Sequence, residues 1–159
     1  MHPRVLRAAR GAIVCGVLAA SAAAQSSSAS RYWELHTHNN FIAMAGTWSS
    51  QGAFTDSGVV SDVAKHETNG NIDVVWNNLS MIETFESERG TFTLSFSRHF
   101  MPIPGQGFAA TTARTSGGWQ FVGGTGAYEG ISGGGSFEGT VDAESGELLD
   151  TYRGYIRYR

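Results

Sequence analysis

Cysteine is nearly missing from this chain. Of 159 residues only Cys15 is one, and it lies inside an apolar stretch, Gly11 to Ala20, close to the start. Arg4, Arg7 and Arg10 precede that stretch, and Ser21 to Ala24 follow it with the small-residue pattern Ala22-Ala23-Ala24. Basic, apolar and small-residue regions in that order are those of a cleaved secretory signal. The reading is a signal over 1–24, cleavage near Ala24/Gln25, and a secreted or periplasmic product. Val14 stands where a lipid-anchored cysteine needs a small residue before it, which argues against lipidation. The processed chain would hold no thiol, which excludes disulfides, zinc–thiolate sites and a cysteine nucleophile.

Long apolar runs and positive charge are scarce too. The leader's run is too short to cross a bilayer and no later run partners it, so no integral membrane span is expected. Lys65 is the only lysine. The formal charge of the whole chain is −3, and loss of the three leader arginines leaves eight basic against fourteen acidic residues, a net charge near −6. A surface of that sign disfavours nucleic acid, whose binding depends on a basic patch. No stretch carries a helical period. No Gly-x-Ser-x-Gly elbow, His-Glu-x-x-His or Cys-x-x-Cys is read as a catalytic framework here, and no cofactor is expected.

Glycine, by contrast, is abundant, with 21 residues, concentrated between Gly117 and Asp142. Two short alternating runs, Trp119 to Val122 and Ser136 to Val141, flank a passage whose apolar anchors are Ala127, Tyr128 and Ile131. This reads as two strands joined by a tight connection, with Gly133-Gly134-Gly135 suited to a bulge or a barrel corner. Gly123-Gly124-Thr125-Gly126 is no phosphate cradle, since the chain continues into a strand rather than a helix N-terminus.

The remainder alternates as strands do. Trp48, Ser50, Gly52 and Phe54 share one side, Asp56-Ser57-Gly58 is turn chemistry with Asp56 bonding its own backbone, and Val59 to Ala64 returns. After the Asn69-Gly70-Asn71 turn, Ile72, Val74 and Trp76 alternate. Leu79 to Glu86 and Thr91 to Phe100 pair about Glu88-Arg89, which sets Phe85 opposite Phe92, Glu83 opposite Leu94, Met81 opposite Phe96 and Leu79 opposite Arg98. A slip of one residue would turn every side chain to the other face, so the apolar face this pairing creates supports the register. Met101 to Gly107 reads as a proline-stiffened loop and Phe108 to Arg114 as a short strand. Glu147 to Tyr158 places Tyr152, Gly154, Ile156 and Tyr158 on one side. Gln25 to Ser30 is a spacer, and Arg31 to His38 either a short strand or an arm over one barrel mouth. The domain reading is therefore 25–40 spacer or arm and 41–159 barrel. The fold class expected is all-β, a single closed antiparallel barrel of about eight strands, whose closure removes exposed edges.

The Trp119-x-x-x-Gly-Gly-Thr-Gly-x-Tyr-x-Gly signature, with the later Gly-x-Gly, resembles that of secreted bacterial proteins related to the allene oxide cyclase barrel. Plant dirigent proteins are more distant kin. Gly46-Thr47-Trp48 followed by Gly52 to Gly58 is similar to that group's opening hairpin. The resemblance implies the barrel, and it implies either a cofactor-free cyclase or a protein that orients a reactive hydrophobic intermediate, often assembled as dimers or trimers.

Candidate site residues follow from the strand faces. Glu83 shares its face with Met81, Phe85, Leu94 and Phe96. If that face lines the lumen, burial makes it a candidate general acid or base; otherwise the face bends to solvent or a polar partner satisfies it. Arg98 lies on the same face but about 13 Å along, at about 3.3 Å per residue. It reads as a rim residue beside the proline loop, able to meet an anionic ligand. Trp48, Trp119 and Tyr128, with Trp33 and Trp76, are either packing units or stacking surfaces for a ligand. His36 and His38 would share one strand face as half a metal site, with His66, Glu67 and His99 as distant possibilities; an exposed polar arm is the preferred account of them, and no metal is assigned. His99 falls on the polar Thr91, Thr93, Ser95, Ser97 face. The functional reading is a secreted barrel that binds a small apolar molecule without catalysis, with the cyclase or orienting role as the alternative. A homo-oligomer is possible on the same evidence.

Overall fold

The computed structural model describes residues 29–66, 79–103 and 111–158. These form β1 (Arg31–Asn40), β2 (Ala45–Gly52), β3 (Asp56–His66), β4 (Leu79–Ser87), β5 (Gly90–Pro102), β6 (Thr112–Gly124), β7 (Ser132–Asp142) and β8 (Glu147–Arg157). A 3-10 turn over Gly126–Tyr128 joins β6 to β7. Each strand pairs antiparallel with the next, and β1 closes on β8, so the sheet is a barrel of eight strands without a free edge.

The β4–β5 hairpin has the expected register, with Phe85 opposite Phe92, Glu83 opposite Leu94, Met81 opposite Phe96 and Leu79 opposite Arg98. Alternation along each strand sends one side chain in two to the interior. On β1 the buried residues are Trp33, Leu35, Thr37 and Asn39, and on β8 they are Leu148, Asp150, Tyr152 and Ile156.

Three expectations change. Arg31 to His38 is no arm over a mouth: β1 is a full stave, bonded to β2 on one side and β8 on the other, so the barrel starts at Arg31 rather than at residue 41. The polar residues Glu34, His36 and His38 suggested an exposed arm, yet they are only its outward half. The loop expected from Met101 begins later, because β5 continues through Pro102 opposite Ala113. Of the strand expected over Phe108 to Arg114, Thr112 to Arg114 open β6, and residues 108–110 lie outside the described residues. The alternation of Ile72, Val74 and Trp76, the leader, and the glycine turn at Gly70 lie outside the described residues.

The glycines do more than turn corners. Across the ladders an inward glycine repeatedly faces a large inward neighbour: Gly46 faces Asn39, Gly58 faces Trp48, Gly117 faces Phe137, Gly135 faces Trp119 and Gly139 faces Asp150. A Cβ at Gly58 would overlap the Glu86 carbonyl and crowd the Trp48 indole, and one at Gly139 would overlap the Asp150 carboxylate. Missing side chains on one strand thus make the volume in which the next strand's large side chain lies.

The two ends differ. One, the turn end, gathers the β2–β3 connection, the Glu88-Arg89 turn and the passage from Thr125 to Ile131. The other, the loop end, has the turns at 41–44 and 143–146. Trp33, Trp48, Phe54, Phe85, Phe92, Trp119 and Tyr128 fill the turn-end half as one apolar cluster, with Phe121 packed against it. A smaller cluster of Ala113, Val141 and Leu148 occupies the loop-end half.

Candidate functional site

The polar side chains of the interior lie toward the loop end, and they come from strands far apart in sequence. Glu83, on β4, is only 1% exposed. Asn39 Nδ2, from β1, donates to its Oε1 at 3.0 Å. Burial of a carboxylate is costly unless it is hydrogen-bonded, and the amide supplies such a bond. Sequence alternation predicted the inward face of Glu83 but not its partner, although Asn39 continues the inward series Trp33, Leu35, Thr37. Asn39 Oδ1 and Thr37 Oγ1 are buried without a hydrogen-bond partner among the described residues.

Arg98 is not at the rim. It too is 1% exposed, and its guanidinium forks onto Asp150, Nη1 to Oδ1 at 3.0 Å and Nη2 to Oδ2 at 2.6 Å. Nη1 also donates to Thr115 Oγ1 at 2.9 Å, and Thr115 donates in turn to Asp150 Oδ1 at 3.0 Å. The guanidinium stands over the Phe96 and Phe137 rings, 5.4 and 4.9 Å from their centroids. Burial alone would lower the Arg98 pKa, but the charge and hydrogen bonds of Asp150 outweigh it, with Tyr152 and Glu83 adding, so the group is held firmly charged. The Tyr152 hydroxyl is pushed well up by burial, then by the charges of Asp150 and Glu83, with Arg98 opposing. Glu83 lies opposite Leu94, four residues before Arg98 on β5, as the pairing predicted, and its charge is still felt at Arg98 and Tyr152. Neither Asp150 nor Thr115 stood out in the sequence. The available signal was the inward series Leu148, Asp150, Tyr152, which puts a carboxylate on an apolar face.

The turn end is closed by a second polar group. Asp56 does accept from the Ser57 amide, Oδ1 at 2.8 Å, but it does more than shape its own turn. Its Oδ2 accepts from Ser87 Oγ at 3.0 Å and from the Tyr128 hydroxyl, and Arg89 Nη1 lies 3.9 Å away. Three connections are thereby tied across the mouth. Burial raises the Asp56 carboxyl, yet the bonds from Tyr128, the Ser57 amide and Ser87, helped by Arg89, bring it below its ordinary value. The Tyr128 hydroxyl is pushed up to about 12, chiefly by burial and then by its bond to Asp56.

The aromatic candidates Trp33, Trp48, Trp119 and Tyr128 are inside the packing, and Trp76 lies outside the described residues. Trp48 Nε1 donates to the Glu86 carbonyl at 3.1 Å, and Trp119 Nε1 to the Ser136 carbonyl at 3.0 Å. The indole of Trp48 lies edge-on to Phe92, centroids 5.1 Å apart, and that of Trp119 edge-on to Trp33 at 5.3 Å. Phe54 and Phe92 flank Tyr128 at 5.3 and 5.1 Å. A ligand stacking on these rings would first have to displace their neighbours.

On the outer wall, His36 faces Glu34 at 2.8 Å and Thr151 at 3.2 Å, while His38 faces Glu147 at 3.0 Å. Among the described residues no three His, Asp, Glu or Cys side chains converge in a way that could hold a metal ion. The side chains of His66 and Glu67 lie outside the described set, and His99 is on the outer wall. Gly130-Ile131-Ser132-Gly133-Gly134 has the spacing of a nucleophile elbow, but it leads from the 3-10 turn into β7, and Arg157 Nε donates to Ser132 Oγ at 3.2 Å. No helix of the described residues is long and apolar enough to cross a membrane.

Against known proteins, no family model matches the chain, and neither a curated protein nor a solved structure matches it.

Proposed function

We propose that this chain is a small-molecule-binding barrel, exported and processed, whose ligand enters at the loop end with its polar group toward Asn39 and Glu83. The observation that carries the reading is the abrupt change in what lines the interior. Rings fill one half, while the other holds the polar side chains of Thr37, Asn39, Glu83, Arg98, Thr115 and Asp150, with buried acceptor atoms on Thr37 and Asn39 that have no partner among the described residues. Native proteins rarely leave such atoms unmatched, and a ligand or an ordered water is what usually meets them. The acceptors favour a mainly apolar molecule that brings a hydrogen-bond donor, such as a hydroxyl. The allene oxide cyclase resemblance of the glycine signature points to the same class of ligand, a small hydrophobic molecule held without a cofactor.

Native mass spectrometry of protein taken from the secreted fraction of its own host is the test. A retained adduct that is lost in Asn39→Ala, with the circular dichroism spectrum unchanged, is expected. A mass equal to the bare processed chain, together with no uptake of long-chain alcohols by the refolded protein, would refute the reading.

A cofactor-free cyclase or orienting protein is the second reading, favoured by Glu83 itself, a buried carboxylate held in one orientation by an amide. Unchanged turnover by Glu83→Gln of a hit from a cyclisation screen would remove Glu83 from that chemistry.

A further inference from the structure

The outer wall also has shape. Where β6, β7, β8 and β1 pass one another, a groove of about 720 Å³ lies open on the side away from the lumen. Its sides include Met101 and Leu149, which are 43% and 41% exposed, and Arg114, His36 and Thr151.

The charges around this groove are mostly spent. Glu138 Oε1 is 2.6 Å from Arg153 Nη1, Asp150 is committed to Arg98 inside the barrel, and His36 is held by Glu34 and Thr151. Arg114 is exposed and has no ion-pair partner among the described residues. A positive group without a partner thus stands beside two exposed apolar side chains, in a concavity of the size that small ligands occupy. A guanidinium is suited to fork onto a carboxylate or sulfate, while Met101 and Leu149 offer apolar surface to what is attached to it.

We propose that this groove is a binding site, separate from the lumen, for a small amphiphile with an apolar body and an anionic end, the anion meeting Arg114. Thr37, Thr115 and Asp150 also line it, but their side chains are buried in the lumen; the groups that would meet the amphiphile, Arg114, Met101 and Leu149, are exposed on the outer wall.

The probe is sodium octanoate, with 1-octanol as its uncharged counterpart, each titrated into the ¹⁵N-labelled processed protein. Saturable amide shifts at Arg114, Leu149 and Thr151 are expected with octanoate, about fivefold weaker binding with octanol, and weakening by added salt. Arg114→Gln removes the preference for the anion, whereas Arg114→Lys keeps most of it; because residue 114 is exposed, both variants should melt at the wild-type temperature. Equal affinity for the two probes, absence of saturable shifts at millimolar octanoate, or shifts confined to lumen residues such as Leu94 would each overturn the proposal. So would shifts of the same amides on raising the protein concentration alone, which would mark a self-association face.

Discussion

The two halves of the lumen solve the same problem, filling the inside of an eight-strand barrel, with opposite materials. At the turn end, Phe92 stacks on Phe85 at 4.8 Å and meets Trp33, Trp48, Phe54, Phe121 and Tyr128 at 5.1 to 6.2 Å. Toward the loop end the volume is taken by Arg98 and Asp150, with Asn39 and Glu83 nearby. Ring packing is forgiving of direction but intolerant of lost volume. A buried ion pair has the reverse sensitivity: it contributes little net stability over an apolar equivalent, yet removal of one partner is severe because a charge is stranded.

Substitutions at the two ends should separate these behaviours. Phe92→Ala, at the ring cluster, is expected to have the largest effect, about 4 kcal/mol less stable in urea unfolding. Asp150→Asn should follow at about 3 kcal/mol, since Arg98 is then buried without its counter-charge, but the double substitution Arg98→Met with Asp150→Leu should recover most of that loss. If the double variant is as unstable as the single one, the ion pair is a stabilising element and the contrast between the ends fails. Gly139→Ala is expected to cost about 2 kcal/mol through overlap of its Cβ with the Asp150 carboxylate and the Leu149 carbonyl. Only the carboxylate's part of that loss should disappear in Asp150→Ala, a coupling that thermal melts of the two singles and the double will measure.

The smallest effect belongs to the polar tie across the turn-end mouth. Tyr128→Phe should lose about 1 kcal/mol at neutral pH. The tie also gives a signature in pH. The Tyr128 hydroxyl is raised to about 12 in the fold, against about 10 in an unfolded chain, so its stabilising share is present below pH 10 and is lost as pH rises toward 12. Asp56 is depressed in the fold, so its share is present above about pH 4 and is lost as pH falls through its lowered value. Urea midpoints measured between pH 8 and 12 should therefore fall more steeply for the wild type than for Tyr128→Phe.

Much of this architecture could be read from side-chain alternation alone. The β4–β5 pairing was legible to the residue because both strands alternate strongly about a two-residue turn, and so was the inward face of Glu83. What escaped is what closure brings together. Arg98 and Asp150 stand 52 positions apart, and no local pattern announces that β5 and β8 share an interior, so the arginine was assigned to a rim. Asn39 meets Glu83 across 44 positions for the same reason. Asp56 was read as a turn residue because its local bond is visible in sequence, whereas its bond to Tyr128 spans 72 positions. Local chemistry was legible, and chemistry assembled by the curvature of the sheet was not.

Closure carries a price in time. Arg31 lies beside Ile156 and Asn40 beside Glu147, so the final ladder joins the two most distant strands of the described chain. Every other pairing links neighbours and can zip from a turn. Until β1 reaches β8, the nascent sheet has two bare edges, each able to pair with another molecule instead. The hazard in making this protein is therefore kinetic. Dilution or slow release during refolding should raise the yield of closed barrel more than any added stabiliser, and a chain shortened through β1 should exchange strands with its neighbours or form fibres.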